Sequence, residues 1–114
     1  MTCRLTAVLL QLGQTCCAFF IAAGPGFVHP APLQLVIENM AFSNVTASAQ
    51  VGDVIEWSNR DIVPHTVTAR DGSFDIVVLP GKTGSIALRK VGTVAFYCRY
   101  HPSMTGVIGI RSRS

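Results

Sequence analysis

From residue 33 onward, apolar and polar positions trade places over short runs that stop at turn-forming residues, and no stretch keeps a helical period. The pattern predicts an all-β domain. Residues 33–39 form the first expected strand, and 53–59 form another, with Trp57 and either Val54 or Ile55 turned inward and a Gly52-Asp53 turn ahead of them. Residues 65–69 are rich in β-branched side chains and end at Asp71-Gly72, a strong turn signal. A strand that begins at His65 places this histidine at the end of a sheet. Residues 84–88 follow the Pro80-Gly81 turn, 92–98 form a further strand, and 106–110 close the pattern. Strands at this spacing predict a sandwich or barrel. Residues 71–80 are the least regular part, and Phe74, Val77, Val78 and Leu79 mark them as a packed connection.

The chain ahead of this pattern has a different character. Arg4 is the one charged residue among the first 24, and residues 5–23 are largely apolar, the shape of a secretory signal. The rival reading is an uncleaved anchor, because about 19 residues can just span a bilayer if the helix tolerates Gln11, Gly13, Gln14 and Thr15. The expected organisation is a signal peptide or anchor over 1–24, a linker over 25–32, and one domain over 33–114. A mature start is expected between Gly24 and Leu33. Export, most simply to a periplasm, follows from either reading, with membrane association if the segment stays.

Composition sharpens this only slightly. The 114 residues are 49% hydrophobic and 13% charged, enough for one packed domain and too apolar for a disordered chain. The formal charge of +3 falls to +2 without Arg4. Such a mild excess, with no dense basic run beyond Arg89-Lys90, argues against nucleic acid as a partner.

The cysteines carry more information. Cys3, Cys16 and Cys17 belong to the N-terminal segment, which leaves Cys98 alone in the domain. An exported domain normally pairs its cysteines, so a lone thiol suggests a reactive group, an intermolecular bridge or a metal ligand. Cys98, His101 and Met104 recur at equal spacing in Cys98-Arg99-Tyr100-His101-Pro102-Ser103-Met104, between two expected strands. Thiolate, imidazole and thioether suit copper far better than the oxygen-seeking magnesium or calcium. Two histidines, one cysteine and a weak axial methionine make the donor set of a blue-copper electron-transfer site. His65, after Pro64 at a strand start, is the best candidate for the second histidine, and His29 is the alternative. Each residue alone has an ordinary reading in packing or at the surface. The joint arrangement argues for the site.

On these residues the chain resembles the cupredoxin family and, within it, the amicyanin-like branch. The Cys-x-x-His-x-x-Met loop is similar to that branch's short form. The resemblance runs from about Leu35 to Ile110 and includes Asn39-Met40-Ala41-Phe42, Val51-Gly52-Asp53-Val54-Ile55-Glu56-Trp57-Ser58-Asn59, Pro64-His65-Thr66-Val67-Thr68-Ala69, Gly72-Ser73-Phe74-Asp75 and Pro80-Gly81. It implies an eight-stranded Greek-key β-sandwich with one type 1 copper ion at one end, His65, Cys98 and His101 equatorial and Met104 axial. His101 would reach the surface among apolar residues such as Pro64, Pro102, Phe27 or Met40. It further implies a monomer without enzymatic activity that relays single electrons between redox partner proteins.

Three departures stand out. Thr66 occupies the position where many relatives carry an asparagine that holds the cysteine loop, which leaves Thr66, Thr105 or Asn59 as the expected clamp. Arg99 and Tyr100 are bulky for their place in the loop, and Val91 stands where proline is common. A copper carrier or store would use the same ligands, and the residues alone do not separate it from a relay. An enzyme with Cys98 as nucleophile and His101 as base would need a stabilised thiolate and an oxyanion site, and no residue pattern marks either.

Overall fold

A computed structural model describes residues 24–26 and 31–114. The expected signal segment, Phe27 and His29 lie outside the described residues. Nine strands follow one another: β1 (Leu33–Glu38), β2 (Ala41–Phe42), β3 (Thr46–Gln50), β4 (Val54–Asn59), β5 (His65–Ala69), β6 (Asp75–Val78), β7 (Thr83–Ala87), β8 (Gly92–Tyr97) and β9 (Thr105–Arg111). They form two sheets, ordered β2-β1-β4-β7 and β3-β9-β8-β5-β6, so the chain crosses repeatedly between the layers of a β-sandwich. The β1–β4 and β3–β9 pairs are parallel and the rest antiparallel.

The core follows from alternation along each strand. Leu35 and Ile37 of β1, Ile55 and Trp57 of β4, and Ile108 and Ile110 of β9 point inward, with polar or smaller residues between them. Three aromatic rings lock the layers together. Phe96 meets Phe42 edge-on at 4.9 Å and Trp57 at 5.8 Å between ring centroids, the arrangement aromatic quadrupoles favour. Gly106, paired with Phe96, lets that ring lie against the β9 backbone, where a Cβ would come within 2.7 Å of Phe96 Cε1. Burial of each large side chain contributes about 1.5–3 kcal/mol, several times a single net hydrogen bond. The core therefore sets the fold, and the polar contacts described below set the geometry at its end.

Six of the strands lie where the apolar pattern predicts them, within a residue or two. Three additions correct the sequence reading. β3 was concealed because its inward residues are only Ala47 and Ala49. β6 occupies part of the connection expected over 71–80, as an edge strand paired to β5 alone. β2 is a two-residue pairing that closes on β1 and brings the count to nine instead of eight.

The parallel pairing of β1 with β4 defines two poles. Leu33 lies beside Ile55 at one pole and Ile37 beside Asn59 at the other. The second pole receives the 59–65 loop and the 98–104 loop. The first receives the chain entry and the 88–92 connection, where Gly52 N–H donates to Leu88 O.

Candidate metal centre

Two short loops meet at the second pole. Pro64 fixes its own φ and favours an extended residue before it, so β5 starts cleanly at His65. Every residue of β5 is buried. The other loop leaves β8 at Tyr97 and returns as β9 at Thr105. Its two ends are tied by Cys98 N–H donating to Met104 O at 3.0 Å. Inside it, Met104 N–H donates to His101 O at 2.8 Å and closes a four-residue turn with Pro102 at its second position, where proline's fixed φ is favoured. Three donor types are thereby held three residues apart on one compact hairpin.

The side chains of His65, Cys98 and His101 converge, with their donor atoms all within 4.8 Å of one another. Both His65 Nδ1 and His101 Nδ1 lie 3.8 Å from Cys98 Sγ. The two imidazole rings are 5.1 Å apart and inclined by 58°. A nitrogen and a thiolate sulfur bound at about 2.0 and 2.3 Å to one ion, about 120° apart, would be separated by about 3.7 Å, so the observed spacing fits a shared metal. Cys98 and His65 are fully buried, Met104 is 3% exposed, and His101 is half-buried. One histidine edge is thus the route from the cluster to solvent. The mixed soft and borderline donors favour copper among the common metals. Exposed Pro64 and Pro102 flank this end, together with Met40, Ile62 and Tyr100.

His65 is oriented from behind. Its Nε2 lies 2.8 Å from Asp61 Oδ2, and with that nitrogen as donor Nδ1 keeps its lone pair toward Cys98. The same carboxylate accepts the amides of Asn39 at 2.8 Å and Met40 at 3.0 Å. Both of those residues have left-handed backbones, at φ 55° and 59°, which non-glycine residues adopt at a cost. Partial burial raises the Asp61 pKa, but hydrogen bonds from Met40, His65 and Asn39 outweigh it and hold the carboxyl below its usual range. Asn59, buried, fixes the start of the loop: its Nδ2 donates to Val63 O and Val78 O, and its Oδ1 accepts Asp61 N–H.

The cysteine loop is held by Thr66. Its amide donates to Cys98 Sγ at 3.3 Å, and its hydroxyl accepts Arg99 N–H at 2.7 Å. Thr68 Oγ1 donates to Asp75 Oδ1 at 2.7 Å, which directs the Thr66 hydroxyl proton to Thr68 Oγ1 at 2.9 Å. Arg99 Nε completes the circuit at 3.2 Å from the same Asp75 oxygen. The Thr68 hydrogen bond, opposed by slight desolvation and aided by Arg99, lowers the Asp75 pKa. Of the three expected clamps, then, Thr66 holds the loop, Asn59 holds the neighbouring one, and Thr105 begins β9 opposite Tyr97.

Sequence reasoning missed Asp61, Thr68 and Asp75. Asp61 carried a usable signal, a carboxylate four residues before a histidine in a loop short enough to bring them together. Asp75 carried none, because its role depends on β6 lying beside β5.

Over residues 14–110 the sequence matches the family model of the cupredoxin-like domain. It is similar to amicyanin of Paracoccus denitrificans, with 28% identity over 78 residues, or 63% of this chain. That alignment spans 60% of the relative's length. Among solved structures, a reduced tryptophan-to-tyrosine variant of amicyanin aligns with a TM-score of 0.64 at 22% identity, over 74% of this chain and 86% of that one. The Cu(I) form of a methionine-to-alanine variant of amicyanin gives 0.64 at 23% identity over the same shares. These likenesses show a common fold.

Proposed function

The chain belongs to the cupredoxin-like domain family, and from that premise we propose that it is a one-electron carrier whose single type 1 copper ion would be held by His65, Cys98, His101 and Met104. The observation that carries this reading is the convergence of two imidazole nitrogens on one buried thiol at 3.8 Å each. Bound copper would supply two accessible oxidation states separated by one electron. The protein's part is to keep the donors still between them, because ligand movement on electron transfer raises the barrier. Asp61 fixes the His65 ring, Thr66 N–H points at the Cys98 sulfur, and the 101–104 turn ties Met104 to His101. The half-buried His101 edge, beside exposed Pro64 and Pro102, suits contact with redox partner proteins.

The domain reading is residues 33–114 as the copper domain, 25–32 as a linker, and 1–24 as a signal peptide or anchor, which supports export to a periplasm. A monomer that passes electrons between a donor and an acceptor protein is the matching state. Copper carriage with the same ligands is the competing role. The deciding experiment is the visible spectrum after cupric ion is added, followed by self-exchange kinetics. An intense thiolate-to-copper band, lost in Cys98→Ser, together with fast reversible cycling supports the relay. Absence of the band overturns the copper site, and slow cycling with readily surrendered cuprous ion would favour carriage.

A further inference from the structure

The pole opposite His65 and His101 has a character of its own. β1 enters the sandwich there at Leu33, and Arg89, Lys90, Arg111 and Arg113 are exposed around it. Asp53, bonded to Arg113, and Asp71 are the two carboxylates at that end. Away from that end Arg60 lies by Glu38 and Arg99 by Asp75, and Glu56 sits within β4 opposite Gln34 and Ser85. Four of the domain's eight cations, against Asp53 and Asp71, therefore gather at one pole, the pole without the donor cluster.

Two further observations fall on the same place. A cleft of about 340 Å³ opens between the 71–74 turn and the 88–93 connection, floored by Phe74, Leu88, Val94 and Ile110, with Arg89 and Lys90 at its edge. Val91, next to those cations, is 57% exposed. The chain also reaches this pole through exposed Ala31 and Pro32, after the uncharged, largely apolar residues 5–23. An apolar floor under a cationic edge matches an amphiphile with an anionic head, and an apolar sequence leading into the same end matches a bilayer.

We propose that this pole seats on a membrane surface of anionic phospholipids, with Arg89, Lys90 and Arg111 at headgroup phosphates and the His101 end turned away from the bilayer. The seat does not depend on what metal the other pole holds or how it is used. Cations near an anionic surface attract it through a field that falls off within a Debye length, so the contact weakens with salt. An uncharged apolar segment partitions into neutral and anionic bilayers alike, and salt does not release it.

That contrast supplies the test. The full chain is mixed with phosphatidylcholine vesicles, with and without phosphatidylglycerol, and recovered by flotation at low and high salt. The expected result is a preference of about tenfold for the anionic vesicles, lost at high salt. Arg89→Gln with Lys90→Gln should cut the preference several-fold while the melting temperature and cupric-ion spectrum stay unchanged. Arg60→Gln with Lys82→Gln, at the other pole, should leave it intact. Arg111→Gln offers a second variant if the first folds poorly. Equal binding to both vesicle types, or equal losses from the two paired variants, overturns the proposal.

Discussion

Thr66 and Arg99 stand 33 positions apart in sequence, yet the Arg99 amide donates to the Thr66 hydroxyl at 2.7 Å. This bond fastens the loop that follows Cys98 to the strand that starts with His65, so two donor residues on different elements share one support. Thr66→Val keeps the shape and removes the acceptor, which leaves a partly buried amide unpaired at a cost of about 1–3 kcal/mol. Thr66→Ser should restore most of the loss. Denaturant unfolding of the three proteins measures it, and a Thr66→Val protein as stable as the parent would show that the clamp carries nothing.

Asp61 serves the His65 ring and a left-handed turn with one carboxylate. Asp61→Ala should destabilise by about 1–3 kcal/mol, because it leaves a buried His65 nitrogen unpaired and backbone strain that nothing then offsets. Copper affinity should fall about 10–100-fold as the ring loses its orientation. Replacing Met40 by glycine in the Asp61→Ala background should recover part of the stability and none of the affinity. Recovery of both would mean that the turn, and not the ring contact, governs binding.

Gly106→Ala tests the core beneath the site. The new Cβ would collide with a Phe96 ring that Phe42 and Trp57 hold in place, so the collision cannot be relieved by a simple rotation. Overpacking of this kind costs about 1–3 kcal/mol. Thermal melting of the metal-free protein checks it without involving the donors. Phe96→Leu combined with Gly106→Ala should cost less than the sum of the two single changes.

Acid should weaken the clamp through Asp75. Its pKa is lowered in the folded protein, so the carboxylate's stabilising effect is fully present above the unfolded value and is lost as pH falls through the folded one. Asp75→Asn should cost stability at neutral pH and flatten the acid limb, so that the two proteins converge below about pH 4. Parallel stability curves for the two proteins across that range would exclude the linkage.

Copper should stabilise the folded chain because the unfolded chain offers no comparable cage. At ion concentrations about a thousandfold above the dissociation constant the gain is about 4 kcal/mol, readable as a higher melting temperature. Chelation should reverse it. His29→Ala should change neither the gain nor the visible band, and a bleached His29→Ala protein would displace His65 from the proposed ligand set.

Strands with large inward side chains were legible in the sequence: Leu35 and Ile37, Ile55 and Trp57, and Ile108 and Ile110 mark their period plainly. β3 was not, because Ala47 and Ala49 bury too little to stand out, and its partner β9 lies far along the chain. The donor loop was legible because all three of its residues fall within one turn of chain. The supports were not, because Asp75 reaches Arg99 and Asp61 reaches Met40 only after distant strands have paired. Side chains that act on near neighbours leave a local signature, whereas those that act across sheets leave none.

Cys98 is wholly enclosed, with no part of it open to solvent. Disulfide exchange needs a thiolate that another sulfur can approach, and oxidation to sulfenic acid needs a similar approach by peroxide. In the folded protein no sulfur surface is presented to either reagent, so the thiol's lifetime depends on how often the loops over it open. A newly made chain can therefore wait for its metal among oxidants without being consumed, and a variant that opens more often should be lost first by crosslinking into dimers.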